Sequence, residues 1–290
     1  MTGEWQRRRR VRQRLDRIFA AVFLLAIALS LLTLVVLLWD VVRDGARWLR
    51  WEFLTSYPSR IPERAGILVP LVGSLWVIGL TALIALPLGV AAAVYLEFYA
   101  GDSWLSRLIE ANIANLAGVP SIVYGLLGLA IFVRGLHLGR SVLAAALTMT
   151  LLVLPVIIVA TREALRSVPV SLIHGAYALG ATRWQVIRTV VLPTAAGSIM
   201  TGVILAISRA LGETAPMITI GAWAFITFLP RHPLDGFSVL PIQIFNWAAR
   251  PQPAFQQLAA AGIVVLLAVL LSLNAVAIWL RNKYQKKAEW

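Results

Sequence analysis

Residues 167–193 read SVPVSLIHGAYALGATRWQVIRTVVLP, and the fold turns on what this stretch joins. Pro169 suits the first turn of a helix, where its missing N–H leaves no bond unmade. Leu172, Ala176 and Leu179 recur at helical spacing, and Gly180 then fits the place just past a helix end where a positive φ is needed. Thr182 and Gln185 stand as a capping box, which predicts a second short helix starting there. Trp184, Ile187 and Val191 share one face of it, and Pro193 is expected to end it. The stretch is read as two short helices joined at Gly180 and Ala181.

On either side lie long apolar runs, 141–160 and 195–222. Four more of similar character occupy 18–39, 67–96, 109–133 and 256–280. A bilayer-crossing helix needs about 20 mostly apolar residues, so six spans are predicted. The second is long enough to tilt, and Pro87 is expected to kink it. Residues 18–39 carry no charge over a length beyond a signal peptide's apolar core, and they are read as a retained first span. The composition agrees. Hydrophobic residues make up 60% of the chain and charged ones 13%, with a mean hydropathy of +0.82. A soluble domain carries about 25% charged residues. The fold class is therefore all-α membrane, a polytopic bundle of about six transmembrane helices.

The net charge of +13 is not read as a nucleic-acid signal. Seven of the 26 basic residues, from Arg7 to Arg17, directly precede the first apolar run, where they suit anionic lipid and fix topology. With the N-terminus inside, 16 Lys and Arg flank the inner ends of the spans and nine the outer ends. That bias predicts a multi-pass inner-membrane protein with both termini and the 161–194 loop in the cytoplasm. The long outer connection 223–255 holds five prolines, its segment 237–247 is too apolar for a free linker, and 240–247 within it reads LPIQIFNW. A partly re-entrant plug with Trp247 at headgroup level is expected there.

Several chemistries are set aside. The chain has no cysteine, and its three histidines, His137, His174 and His232, show no metal-ligand spacing, so neither metal nor cofactor is expected. No phosphate-binding G-x-x-x-x-G-K-[ST] loop occurs, so ATP hydrolysis would fall to other subunits. A membrane enzyme would need paired carboxylates or a nucleophile with its base, and Glu97 and Glu213 stand without a nearby histidine. A passive anion channel would need rings of charge and no loop of the 167–193 kind.

Charge inside a span is rare and costs at least about 2.5 kcal/mol on insertion scales. The fifth run nevertheless contains Arg209 and Glu213, four residues apart and so on one helical face, with Ser208 and Thr214 beside them. A structural salt bridge between helices is one reading. The functional reading gives Arg209 the planar donor fork that suits a tetrahedral oxyanion, with Glu213 setting its strength. Gly212 and Pro216 make a local break in this span plausible. A run of small residues at 118–125 (GVPSIVYG), comprising Gly118, Pro120, Ser121, Tyr124 and Gly125, either lets helices pack closely or lines the pathway.

The 167–193 stretch resembles the EAA motif of ABC importer permeases, EAA-x3-G followed by a Leu-Pro. Ala176, Gly180, Leu192 and Pro193 stand at matching places, whereas His174 replaces the motif's Glu and Gly175 its first Ala. Residues 118–125, 209–216 (RALGETAP) and 240–247 extend the likeness to phosphate ABC transporter permeases of the PstA type, over about residues 66–280. The resemblance implies a type I ABC importer permease in which His174, Gly175, Ala176, Gly180, Leu192 and Pro193 form a coupling knob seated on an ATPase. The implied partners are a homologous second permease, an ABC ATPase dimer and an extracytoplasmic phosphate-binding protein, with membrane lipid around the spans and no nucleic acid. Inorganic phosphate is the implied cargo, moved along a path through Arg209, Glu213, Thr214 and Ser208. A permease for another oxyanion such as sulfate, molybdate or phosphonate is the alternative. Residues 1–65 would supply a basic tail, one span and an outer loop, and residues 66–282 the permease domain with its coupling loop at 161–194.

Overall fold

A backbone amide left unpaired in hydrocarbon costs several kcal/mol, so a chain this apolar must satisfy its backbone within helices. The computed structural model describes residues 2–101, 103–222 and 225–285. Among them the only strand-like pairing is an isolated bridge between Ser141 and Gly236. Lys286 and Lys287 lie outside the described residues, as do the side chains of residues 7–10 and of Arg14.

In chain order the helices are α1 (Thr2–Gly45), α2 (Trp51–Thr55), α3 (Leu68–Val94), α4 (Trp104–Ala117), α5 (Ser121–Gly128) and α6 (Val142–Arg166). There follow α7 (Val170–Ala178), α8 (Arg183–Val186), α9 (Leu192–Gly212), α10 (Ala215–Ile220), α11 (Leu240–Ala248) and α12 (Pro253–Gln285). Wide π turns at Tyr95–Tyr99, Leu129–Gly135 and Ile187–Val191 extend α3 and α5 and join α8 to α9. Five stretches are long and apolar enough to cross a membrane, and a sixth is a broken pair.

That pair corrects the third predicted span. Residues 109–133 are not one helix: α4 and the α5 stretch meet at 105°. Pro120 has no N–H to continue the ladder and disfavours helical geometry at Val119. Tyr124 then folds back and donates from its hydroxyl to the Leu116 carbonyl at 2.8 Å, which holds the corner. The fifth predicted span is corrected at its start, and the break expected at Gly212 and Pro216 is present. Pro193 does not stop the second loop helix; helix continues from Arg183 to Gly212. The π turn before Leu192 absorbs the donor that Pro193 lacks, and Pro193 sits in the first turn of α9, where that lack is harmless. At the other end α9 stops at Gly212, Glu213 is extended (φ −75°, ψ 121°), and α10 begins anew with Pro216 in its first turn.

Two apolar cores organise the bundle. The larger gathers α3, α6 and α9 around residues such as Val77, Met149, Ile157 and Val203. In α6 67% of the most apolar window is buried and in α1 none, so α6 is the central post and α1 faces outward. The smaller core joins Phe53 and Ile67, ahead of α3, to Leu240, Trp247, Phe255 and Leu258. Trp247 is 1% exposed and lies 5.9 Å from the Phe53 ring, centroid to centroid. The expected headgroup-level Trp247 is therefore a core residue, because residues 51–67 cover it. The Leu240 amide donates to Ser74 Oγ at 2.8 Å, fastening the start of α11 to α3.

Candidate functional site

The 167–193 loop forms as its punctuation dictates. α7 runs from Pro169 at its cap to Leu179, and Gly180 takes a φ of +83° with nothing near enough to crowd a side chain. Its role is conformational, since a left-handed backbone is strained for any residue with a Cβ. The capping box is complete: Gln185 N–H donates to Thr182 Oγ1 at 3.4 Å, and Thr182 N–H donates to Gln185 Oε1 at 2.7 Å. No residue of α7 is buried. His174 and Gly175 are exposed, Ala176 and Leu192 pack on the larger core, and Pro193 is exposed. Val170, Leu172, Tyr177, Trp184 and above all Leu179, 91% exposed, leave an apolar surface on the knob. Exposed apolar side chains gathered on one short loop suit an interaction surface.

The charged pair forms, with a difference in geometry. Glu213 lies just past the end of α9 rather than on it, yet its Oε1 accepts from Arg209 Nε at 3.3 Å. Glu213 is 19% exposed and borders a cavity of about 20 Å³ with Ser74, Met149, Met217 and Val239, whereas Arg209 is 61% exposed. The two terminal amino groups of Arg209 have no partner among the described residues. The structure thus fixes one edge of the guanidinium and leaves four N–H donors open. Thr214 caps α10 without a side-chain hydrogen bond. Ser208 is engaged elsewhere: its hydroxyl meets the Ile204 carbonyl at 2.7 Å and the Asn274 side chain on α12.

The 118–125 residues divide. Gly125 lies against Pro216 and Thr219 of α10 so tightly that a Cβ would collide with both, and Gly128 meets Thr148 of α6 in the same way. Gly118 stands at the α4–α5 corner with only Asn115 nearby, Pro120 and Ser121 open α5, and Tyr124 holds the corner. Close packing of α5 on α10 sets the position of the break that carries Glu213 and Thr214.

One cluster escaped the sequence reading, which weighed Glu97 only as an enzyme carboxylate and counted its partners only for topology. Glu97 accepts from Arg162 at 3.3 Å and from Arg166 at 3.0 Å, and Arg162 also donates to Glu110 at 2.9 Å. The available signal was the presence of acidic residues beside span ends in a chain with so few.

Broken spans around a charged pair, with a capped helical knob between spans, make this a polytopic helical membrane protein. The chain belongs to the binding-protein-dependent transport system inner membrane component family, whose model matches residues 85–288. Within it the sequence is of the PstA type. It is 32% identical over 283 residues to the phosphate transport system permease protein PstA 1 of Mycobacterium tuberculosis (strain CDC 1551 / Oshkosh), covering 94% of this chain and 90% of that one. It is 33% identical over 286 residues to the probable ABC transporter permease protein YqgI of Bacillus subtilis (strain 168), covering 94% and 97%. The fold matches a chain in the crystal structure of a bacterial alginate ABC transporter in complex with alginate pentasaccharide-bound periplasmic protein. There the TM-score is 0.70 at 15% identity, over 94% of this chain and 96% of that one. The chain is a multi-pass membrane subunit of an ABC importer with the type I permease fold, and ATP hydrolysis belongs to its partner subunits.

Proposed function

We propose that the cargo is inorganic phosphate and that Arg209 meets it. The observation that carries this reading is the half-engaged guanidinium: Nε is held by Glu213 while the terminal amino groups are open. A planar fork that never loses its charge suits an oxyanion, and an adjacent carboxylate keeps the hold reversible. The PstA relatives support phosphate over sulfate, molybdate or phosphonate. A second, homologous permease completes the pathway, and an extracytoplasmic phosphate-binding protein delivers the anion. Both termini and the knob are cytoplasmic, and the apolar face of α7 seats on the ATPase, so that its closure moves α6 and α9.

The test is uptake of radiolabelled phosphate by the reconstituted complex, with the other oxyanions as competitors. Arg209→Gln should abolish uptake and Arg209→Lys restore it in part, since a point charge lacks the fork. Arg209→Gln combined with Glu213→Gln is decisive. A purely structural bridge tolerates loss of both charges better than loss of one. Good assembly without transport supports the reading, whereas near-normal uptake removes Arg209 from the path.

A further inference from the structure

The chain connects the coupling knob directly to α6 and, through the π turn, to α9. It connects the knob to neither α3 nor α4, yet a pathway that opens and closes must move these as well. The structure supplies a link. Arg183, the first residue of α8, donates from Nη1 to the Phe98 carbonyl at 2.9 Å, and its guanidinium lies 5.4 Å from the centre of the Tyr99 ring. Phe98 and Tyr99 belong to the π turn Tyr95–Tyr99 that ends the second span. The residue before them is Glu97, which holds Arg162 and Arg166 of α6, and Arg162 reaches on to Glu110 of α4.

Four elements thus meet in one cluster: Glu97 holds the two arginines of α6, Arg162 extends it to α4, and Arg183 of α8 joins at the neighbouring Phe98 carbonyl. The side chains of Arg162 and Glu97 are only 12% and 21% exposed, so their charge-assisted bond is shielded from water. The bond from Arg166, 49% exposed, contributes less. The place is telling as well. α3 and α6 already share the apolar core along their length, and a further staple is not needed to hold them together. The cluster sits where the knob touches the π turn, and π turns are frequent at functional positions.

We propose that Glu97 is a positioning residue of the transport cycle: with Arg183 and Arg162 it carries movement of the knob to α3 and α4. The proposal rests on the coupling reading of residues 167–193 given above. Glu97 touches no cargo and acts through the arginines it holds.

The experiment uses the complete complex in proteoliposomes, with ATP hydrolysis and phosphate uptake read on the same sample. Glu97→Gln and Arg183→Gln should each leave co-purification and hydrolysis within about twofold of the parent and lower phosphate moved per ATP about tenfold. The double variant should be no worse than the poorer single, because both interrupt one chain of contacts. Arg183→Lys keeps one donor for the Phe98 carbonyl and should recover part of the ratio. A parental ratio in Glu97→Gln, or losses that multiply in the double variant, overturns the proposal. If Glu97→Gln does not assemble, the exposed Arg183→Gln decides alone, and a parental ratio there has the same force. Gly180→Val separates the two readings. Uncoupling by Gly180→Val with coupled Glu97→Gln and Arg183→Gln refutes the link and keeps the knob. Coupling retained in all three refutes the knob as well. Uptake by the parent complex reports on the cargo independently.

Discussion

α7 and α11 are both nine residues long and both apolar, VSLIHGAYA against LPIQIFNWA, but they end in opposite environments. α11 buries Leu240, Pro241, Ile242, Gln243 and Trp247 beneath α3, α12 and the segment around Phe53. α7 buries nothing. Composition therefore does not decide burial here; what decides it is whether the same chain provides a cover. The covered helix is architecture, and the uncovered one leaves its apolar side chains exposed, as the proposed seat on another subunit requires. In a permease whose energy comes from a separate ATPase, that subunit is the natural occupant of α7.

The comparison can be broken most readily at Trp247. Trp247→Ala leaves a cavity in a closed core and should cost about 3–5 kcal/mol. Thermal unfolding of the purified complex would read this as a large drop in midpoint, and a drop no larger than that of an exposed-site variant would mean α11 is not anchored as described. Gly180→Val comes next. Its cost should be about 1–2 kcal/mol of backbone strain, because the site is open and only the φ of +83° is offended. Membrane insertion should be normal and transport lost, as shown by parallel immunoblotting and uptake. Leu179→Ser then sharpens the contrast. At 91% exposure it should leave the stability of the isolated permease within about 0.5 kcal/mol, while co-purification of the ATPase falls. Equal destabilisation by Leu179→Ser and Trp247→Ala would erase the distinction between the two helices.

The smallest effect is expected in the loop that precedes α11. There Asp235 accepts from the backbone N–H groups of Arg231 and His232, both at 2.8 Å, which hold its carboxyl below the usual range. A depressed carboxylate stabilises the fold above its unfolded-state value and loses that contribution as pH falls through the folded one. Asp235→Asn should therefore slightly lower the unfolding midpoint at neutral pH and flatten its decline in acid, in a pH series of melting curves.

What was legible in the sequence was whatever local chemistry determines. Gly180 and the Thr182–Gln185 box are read from neighbours a few residues away, and the apolar runs from their own length. The corner at Gly118–Pro120 was not read, although a proline and the residue before it signal a break, because the apolar run around it has the length of a single span. Pro193 misled for a related reason: a proline ends a helix only when no wide turn precedes it to absorb the missing donor. The burial of Trp247 depends on Phe53, and the Glu97 cluster joins residues 52 to 85 apart in sequence. Such pairings are set by tertiary packing, which no local pattern announces. The pairing of Arg209 with Glu213 survived because it needs only one turn of helix, even though that turn ends before Glu213.

Gly45 lies against the backbone of Ala260 and Ala261, and the indole N–H of Trp48 donates to Gln257 Oε1 at 3.0 Å across a separation of 209 residues. A ribosome delivers the first of these groups long before the last. The first span must therefore enter the bilayer and wait, its inner neighbour unmade, until the final helix has been synthesised. Closure of so long a loop is entropically costly and comes late, so the smaller core should be the last part of the chain to consolidate. Quality control that senses an unpartnered first span would then act as a check that synthesis has reached α12.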